Sequence, residues 1–267
     1  MSKPNPIKSL IKKALFNRIP GIGGRYRYCG STVHFPLRSL CMDLLAEEGI
    51  YEHSLLRVIQ ILMPPNSTFF DIGANIGLMS LPILQRGPED RVVSFEPSPN
   101  SLPWLRKTWE DSPFRNRWTL VGSAVGREPG TARFTLSDPS RAGYDGLRHT
   151  ARMPSKGEVE VEITTLDREW TRLGRPSVGI IKIDIEGGEL DAFAGADQLL
   201  EQCRPPIVME WFSENFQAYG HRHEDLMTFA RKYRYQIVTL PEMHELRTLP
   251  QLTLASALTG NVALLPE

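Results

Sequence analysis

The fold is decided by the stretch Phe69-Phe70-Asp71-Ile72-Gly73-Ala74-Asn75-Ile76-Gly77. An apolar run typical of a buried strand passes directly into a turn with two glycines, and a helical pattern follows. Glycine permits close approach of another backbone, and ligands of an open α/β sheet bind beyond the carboxyl ends of its strands. The stretch therefore predicts a ligand-binding turn between a buried strand and a helix.

Short apolar runs recur along the chain and alternate with helical stretches. Strands are predicted at 68–72, 91–95, 118–124, 179–183, 206–209, 235–240 and 261–265. Helices between most of them are predicted at 77–85, 101–110, 189–203 and 224–233. This alternation is typical of a parallel sheet covered on both faces. The predicted fold class is α/β, with a doubly wound, mostly parallel seven-stranded sheet.

Two further segments, 132–136 and 159–165, alternate in polarity like an extra strand pair. They enclose a polar loop at 137–157. A loop of about 20 residues inside a compact domain is usually functional or disordered. We therefore expect this insertion to matter for specificity.

The amino-terminal part of the chain is predicted to be helical and basic. A stripe with helical spacing predicts a helix over 6–16 and consists of Ile7, Leu10, Ile11, Ala14 and Leu15. We expect this stripe to pack on its own domain; peripheral contact of the basic helix with an anionic membrane is the less favoured alternative. A second helix is predicted over 39–63 and gives the domain a helical cap.

The predicted organisation has three parts. A basic amphipathic arm covers 1–30, a helical cap covers 31–66, and a ligand-binding domain covers 67–267 with the loop inserted at 137–157.

Composition excludes several classes of protein. The 267 residues are 41% hydrophobic and 23% charged, close to the averages of globular proteins, and no apolar run has the length of a membrane span. Residues 1–42 carry eight lysines or arginines and no acid, so the remaining body is acidic, which argues against a nucleic-acid partner. Three widely spaced cysteines and the lack of an apolar leader favour a cytoplasmic location.

A second candidate binding residue follows the next predicted strand. Glu96 ends the run 92–95 and lies 23 residues after Gly73. A carboxylate at this offset suits the two hydroxyls of a ribose. Asp71 distinguishes between the nucleoside cofactors that could bind here. Its charge would repel the pyrophosphate of a dinucleotide but attract the ammonium and sulfonium of S-adenosylmethionine. Asn75 also stands where the dinucleotide fingerprint has its second glycine.

A third cluster of acids follows the strand at 179–183. Asp184 and Glu186 could hold the methionine amine, bind an acceptor hydroxyl or remove its proton. Glu189 is interpreted as an acid that complements the dipole of the next helix. His221 and His223 lack a third convergent ligand, so no metal site is predicted there. A divalent ion held by Asp184 and Glu186 is left open as an alternative.

These motifs, taken together and in order, resemble the FkbM family of S-adenosylmethionine-dependent methyltransferases. The resemblance runs from about Glu48 to Pro266 and rests on the segments 51–52, 70–77, 95–97, 124–126, 165–167 and 182–187. It implies a class I methyltransferase, Rossmann-like fold and O-methylation of a hydroxyl on a sugar, polyketide or other secondary metabolite.

The resemblance also implies a cofactor site for S-adenosylmethionine. The expected binding residues are Glu52, Asp71, Gly73, Ala74, Asn75, Ile76, Gly77, Glu96, Pro97, Ser123, Ala124 and Asp184. The methionine end is expected at the glycine turn, the ribose at Glu96 and the adenine edge at Ser123 and Ala124.

Methyl transfer to an alcohol also requires a group that takes the hydroxyl proton. The candidate catalytic residues are Asp184, Glu186, Glu210 and His53. Trp211 and Phe212 could offer a stacking surface for a small-molecule or glycan-like acceptor, or could be core. An NAD(P)-dependent oxidoreductase and a non-catalytic nucleoside-binding protein remain alternatives, and the oligomeric state is not addressed by the sequence.

Overall fold

The computed structural model describes residues 6–19, 23–150 and 152–267. Its strands form three sheets, of which the central one has seven strands. The strands, in chain order, are β1 (Arg25–Tyr28), β2 (Ser31–His34), β3 (Thr68–Ile72), β4 (Arg91–Phe95), β5 (Trp118–Val121), β6 (Ala124–Val125), β7 (Gly130–Leu136), β8 (Gly157–Thr164), β9 (Val178–Ile183), β10 (Ile207–Glu210), β11 (Tyr235–Thr239) and β12 (Asn261–Pro266). The central sheet has the order β11-β12-β10-β9-β3-β4-β5, and only β12 runs antiparallel to its neighbours. All seven strands predicted for this sheet are present.

Helices cover both faces of the central sheet. They are α1 (Pro6–Asn17), α2 (Leu40–Glu48), α3 (His53–Leu62), α4 (Ser80–Arg86), α5 (Leu102–Glu110), α6 (Leu166–Arg172), α7 (Glu189–Phe193), α8 (Asp197–Cys203), α9 (Ser213–Phe216), α10 (His223–Tyr233) and α11 (Leu249–Thr259). Every residue of β3 and β9 is buried. Neighbouring residues point to opposite faces, so Phe69 joins one hydrophobic layer and Phe70 the other. The doubly wound α/β class is confirmed.

Several predicted element boundaries are wrong because of local backbone geometry. The single helix predicted at 39–63 is two helices, since Gly49 ends α2 with a φ of +82° and Glu52 has a φ of +45°. The helix predicted at 189–203 divides at Gly195, whose missing Cβ would lie 2.4 Å from the carbonyl oxygen of Gly126. The strand predicted at 118–124 ends at Val121, and the chain then joins a different sheet.

That second sheet has three strands and carries the inserted loop. Strands β7 and β8 form the predicted extra pair and run antiparallel, and β6 pairs parallel with β8. The loop between β7 and β8 is fastened at Asp145, which accepts hydrogen bonds from the backbone N–H of Ser137 at 2.6 Å, the hydroxyl of Ser98 at 2.5 Å and the amide of Asn100 at 3.0 Å. The described part of the loop, residues 137–150 and 152–156, therefore forms a wall beside the carboxyl ends of β3 and β4.

The amino-terminal helix is present, but it has the opposite orientation to the expected one. Ser9 and Asn17 are its buried residues, whereas the apolar stripe faces outward, with Leu10 69% and Ile11 51% exposed. The expectation that this stripe packs on its own domain is therefore wrong. Within the described residues, no helix is long and apolar enough to cross a membrane.

The segment after α1 forms a β1–β2 hairpin that sequence patterning did not predict. The hairpin extends across residues 30 and 31, where the arm and the cap were divided. Tyr28, Val33 and Phe35 are buried in the hydrophobic layer that also contains Phe69. The hairpin thus attaches α1 to the central domain.

Candidate active site

One cleft at the carboxyl ends of β3, β4, β9 and β10 gathers most of the predicted site residues. Those that line it are Glu52, Asp71, Gly73, Ala74, Asn75, Ile76, Glu96, Pro97, Ser123, Ala124, Asp184, Glu186 and Glu210. Gly77 is absent from this lining; its φ is +89°, and a Cβ there would lie 2.9 Å from the Trp118 ring. Gly77 therefore serves close packing behind the turn.

The turn after β3 requires glycine at its first position. Gly73 has a φ of +78°, and a Cβ would lie 1.9 Å from the carbonyl oxygen of Asp184. The N–H groups of Gly73 and Ala74 both donate to the carbonyl oxygen of Phe95 at 3.0 Å. The turn is thus held against the ends of both neighbouring strands.

Replacing Gly73 with alanine is expected to lower the free energy of unfolding by about 3 kcal/mol or more, because steric overlap adds to left-handed strain. Urea unfolding measures this change. Gly174→Ala is the matched control, since Gly174 has a φ of +82° but no heavy atom within 4 Å of the position that the added methyl group would take. We expect the control to lose only about 1 kcal/mol; equal losses would show that the contact with Asp184 is unimportant.

Glu96 is fixed at the end of β4 by the turn itself. Its Oε2 accepts the N–H of Asn75 at 2.8 Å, and its Oε1 accepts the N–H of Ser98 at 2.8 Å. Burial raises the pKa of Glu96 to about 8, and the two N–H groups offset only part of that rise. Each carboxylate oxygen retains a further lone pair for a ligand hydroxyl.

Asp71 is more deeply placed than the sequence suggests. It is fully buried, its Oδ2 accepts a hydrogen bond from the Ser80 hydroxyl at 2.5 Å, and its Oδ1 has no hydrogen-bond partner among the described residues. Burial raises the pKa of Asp71, and the nearby ammonium of Lys182 opposes that rise. Asp71 therefore forms the acidic floor of the cleft.

Lys182 is the positive charge that sequence reasoning missed. Its Nζ donates to the carbonyl oxygen of Gly73 at 3.2 Å and to Asp184 Oδ2 at 3.3 Å. The sequence did contain an indication of it, since a lysine between isoleucines of a buried strand must be buried. Lysine is almost never buried without a partner, so this position predicts a nearby acid. Three carboxylates, those of Glu52, Asp71 and Asp184, act on this one lysine. The floor therefore retains an excess of acidic groups.

Glu52 closes the cleft at the start of α3. Its Oε2 is buried and has no hydrogen-bond partner among the described residues. Burial raises the pKa of Glu52 to about 7, although Lys182 opposes the rise. The adjacent His53 does not line this cleft; it lines a groove on the outer side of Glu52, between α1 and α3. The structure thus separates His53 from the other candidate catalytic residues.

Asp184, Glu186 and Glu210 come together at the ends of β9 and β10, where one oxygen of each lies within 4.8 Å of the others. Burial and the charge of Asp184 raise the pKa of both Glu186 and Glu210. Glu186 has a φ of +60°, a strained conformation that for residues other than glycine is concentrated at functional sites. The Nδ2 of Asn215 donates to Glu210 Oε2 at 2.6 Å and helps to fix that side chain.

Arg152, from the inserted loop, supplies the cation at this acidic cluster. Its Nη1 lies 3.0 Å from Glu186 Oε2 and 3.6 Å from Glu210 Oε2. Its guanidinium also lies 5.0 Å from the ring centre of Tyr144 and 5.1 Å from that of Phe212. Carboxylates of this kind can bind divalent cations, and the guanidinium contacts two of these three. No sequence motif marked Arg152.

Most of the other residues singled out in the sequence have roles in packing or in helix capping. Trp211 is buried and stacks on Phe216, so it belongs to the core, whereas Phe212 faces Arg152. His223 Nδ1 accepts a hydrogen bond from Trp211 Nε1 at 3.0 Å. Glu189 begins α7 and accepts the N–H groups of Ile185 and Gly187 at 3.2 Å, which confirms its interpretation as a helix-terminal acid.

Comparisons with known proteins identify a family and several relatives of this chain. Residues 71–237 match the family model described as the methyltransferase FkbM domain. The 2-O-methyltransferase NoeI of Sinorhizobium fredii is 27% identical over 161 residues, covering 55% of this chain and 65% of NoeI. The 31-O-demethyl-FK506 methyltransferase FkbM of Streptomyces tacrolimicus is 27% identical over 159 residues, covering 50% of this chain and 60% of that protein.

Two further matches cover a larger share of this chain than of the matched protein. The AMB antimetabolite synthetase AmbE of Pseudomonas aeruginosa is 23% identical over 212 residues, which cover 66% of this chain but 10% of AmbE. A crystal structure of methyltransferase FkbM from Methylobacillus flagellatus KT aligns with a TM-score of 0.45 and 16% identity, covering 74% of this chain and 50% of that one. Since the family model spans more than half of the sequence, the chain belongs to the FkbM methyltransferase domain family.

Proposed function

We propose that this protein is an S-adenosylmethionine-dependent O-methyltransferase that acts on a hydroxyl of a small-molecule or glycan-like acceptor. Family membership supports methyl transfer. The observation that carries the choice of a hydroxyl is the cluster of Asp184, Glu186 and Glu210 beside the glycine turn. An alcohol needs a group within hydrogen-bond reach to take its proton, and this cluster offers three.

The chemistry of the cleft fits this cofactor. Glu52 and Asp71 each have a buried carboxylate oxygen without a partner among the described residues, and one lysine, Lys182, lies among the three acids of the floor. Such a floor stabilises a ligand with an ammonium and a sulfonium and disfavours a pyrophosphate. Glu96, held at the end of the next strand by the N–H groups of Asn75 and Ser98, would accept both hydroxyls of a ribose.

The acids of the cleft and Arg152 would have separate roles in the reaction. When bound, the cofactor supplies a methyl carbon already activated by its sulfonium, so positioning provides much of the catalysis. Glu186 or Glu210 would take the proton of the acceptor hydroxyl while the hydroxyl oxygen replaces the cofactor's sulfur on that carbon by in-line displacement, so that a C–O bond forms as the C–S bond breaks. A base with a raised pKa suits this task, because proton transfer is most effective when the pKa lies near the working pH. Arg152 would hold both carboxylates in place.

The names of two relatives support oxygen as the acceptor atom. NoeI is named a 2-O-methyltransferase, and the Streptomyces protein is named for position 31-O of FK506. A cytoplasmic location and the lack of a nucleic-acid partner stay predictions from the sequence.

The proposal is tested by incubating the protein with methyl-labelled S-adenosylmethionine and a panel of hydroxylated sugars, polyketides and glycolipids. We expect label in a product whose methyl group is shown by NMR to be bonded to oxygen. Label on nitrogen or carbon would contradict O-methylation. Tight cofactor binding with no transfer to any acceptor would favour the non-catalytic nucleoside-binding alternative.

Replacing Arg152 with methionine is expected to move the acidic limb of the pH–rate profile upward by about 1 to 2 pH units. Arg152 lowers the pKa of Glu186 and Glu210. Its loss therefore raises both pKa values, and the base becomes deprotonated only at higher pH. Arg152→Lys should restore part of the shift, and Arg133→Met, at an exposed position on β7, should have no effect. An unchanged profile for Arg152→Met would show that this contact does not control the base.

A further inference from the structure

Helix α1 presents an apolar face to the outside of the protein. Leu10 is 69% exposed, Ile11 51% and Leu15 39%, and Ala14 between them is also exposed. These residues follow helical spacing and so form one continuous stripe. A surface helix ordinarily turns such a stripe toward the core. The outward orientation of this stripe therefore indicates that it binds another surface.

The orientation of α1 is fixed by polar contacts on its opposite face. Asn17 is 1% exposed; its Nδ2 donates to the carbonyl oxygen of Ser39 at 2.8 Å and to Asp43 Oδ1 at 2.8 Å, and its Oδ1 accepts the N–H of Ser39 at 2.9 Å. Arg38 donates its backbone N–H to the carbonyl oxygen of Asn17 at 2.8 Å. Rotating the helix to bury the stripe would break these bonds in a buried environment.

Positive charge is concentrated on α1 and on β1, the strand that follows it in the chain. Lys13 pairs with Glu47 and Arg18 with Asp43. Four more cations of α1 and β1 have no ion-pair partner within the described ranges 6–19, 23–150 and 152–267: Lys8, Lys12, Arg25 and Arg27. The whole segment 1–42 contains no acidic residue, whereas the rest of the chain has a net negative charge.

We propose that α1 docks the protein on an anionic phospholipid surface, with Leu10, Ile11 and Leu15 entering the boundary between headgroups and acyl chains. An apolar stripe flanked by lysine and arginine is the chemistry that such a surface recognises. The helix lies in the plane of the surface and does not cross it. The acidic body of the protein then faces away from the lipid. This docking goes beyond the proposed methyl transfer and does not depend on it.

Flotation with lipid vesicles tests the proposal. The full chain is mixed with vesicles of phosphatidylcholine alone, or of phosphatidylcholine with phosphatidylglycerol, at low and high salt. We expect binding to the anionic vesicles, weaker binding at high salt because the cationic contribution is screened, and little binding to neutral vesicles. No binding to anionic vesicles at low salt would overturn the proposal.

A triple variant, Leu10→Gln with Ile11→Gln and Leu15→Gln, separates docking by the stripe from general electrostatic adsorption. We expect it to lose roughly a hundredfold in affinity for anionic vesicles, since three apolar side chains no longer enter the lipid. Leu254→Gln with Leu258→Gln is the matched control, because these leucines of α11 are 60% and 73% exposed. The control should bind like the wild type, and both variants should keep the wild-type melting temperature and affinity for S-adenosylhomocysteine.

Two results with these variants would overturn the proposal. One is equal vesicle binding by the stripe variant and the wild type. The other is a wild-type dimer in lipid-free sedimentation velocity that becomes a monomer in the stripe variant, because the stripe would then be an interface between two copies of the chain.

Discussion

Replacing Glu96 with alanine is expected to weaken binding of S-adenosylhomocysteine by about a hundredfold or more. Each hydrogen bond from a ribose hydroxyl to a carboxylate contributes about 1.5 to 3 kcal/mol, and the variant loses both. It also removes the acceptor for the buried N–H groups of Asn75 and Ser98, which shape the turn. Isothermal titration calorimetry with S-adenosylhomocysteine measures the effect directly.

The matched control for this experiment is Glu89→Ala. Glu89 is exposed and precedes β4, at the opposite end of the strand that leads to Glu96. We expect the control to bind the ligand as tightly as the wild type. If Glu96→Ala also did so, the assignment of the ribose to Glu96 would be wrong.

Neutralising the acidic cluster is expected to abolish most of the activity while leaving the cofactor site intact. Glu186→Gln or Glu210→Gln, whichever removes the base, should lower kcat by about 100-fold to 10,000-fold, the usual contribution of a general base. Affinity for S-adenosylhomocysteine should change by no more than about threefold, because the glycine turn and Glu96 are untouched. The variant with the larger loss identifies the base, and its pH–rate profile should lose the acidic limb.

Glu214→Gln serves as the control, because Glu214 is an exposed acid of α9 close in sequence to Glu210. Its kcat should equal that of the wild type. Full kcat in Glu186→Gln, Glu210→Gln and Asp184→Asn alike would refute a role for the cluster in removing the acceptor proton.

The fold was largely predictable because its central strands are short apolar runs with little ambiguity. The boundaries that failed depend on local details of the backbone. Glu52 has a positive φ, and a glutamate gives no warning of a left-handed conformation. At Gly195 the cause is instead the close approach of the Gly126 carbonyl oxygen. The stripe of α1 was also predicted correctly as a pattern. Periodicity shows which residues share a face, but the side that meets the protein is set by the contacts of Asn17, which lie far apart in sequence.

The site residues that lie at the carboxyl ends of strands were predictable from the sequence. Asp71 lies near the carboxyl end of β3, and Glu96 and Asp184 follow β4 and β9, so the parallel strands bring all three to one edge of the sheet. Arg152 could not be predicted, since its position depends on the path of a long loop and on contacts with Glu186 and Phe212. His53 was misplaced because the turn before α3 directs it to the outer groove.

The central claim is that the cleft is built for S-adenosylmethionine, and calorimetric titration of ligand-free protein with S-adenosylhomocysteine and, separately, with NADH tests it most directly. The acidic floor formed by Asp71, Asp184 and Glu52 predicts micromolar or tighter binding of S-adenosylhomocysteine and no measurable binding of NADH. Binding of NADH in preference to S-adenosylhomocysteine would contradict the account, because a pyrophosphate would then lie against carboxylates that should repel it.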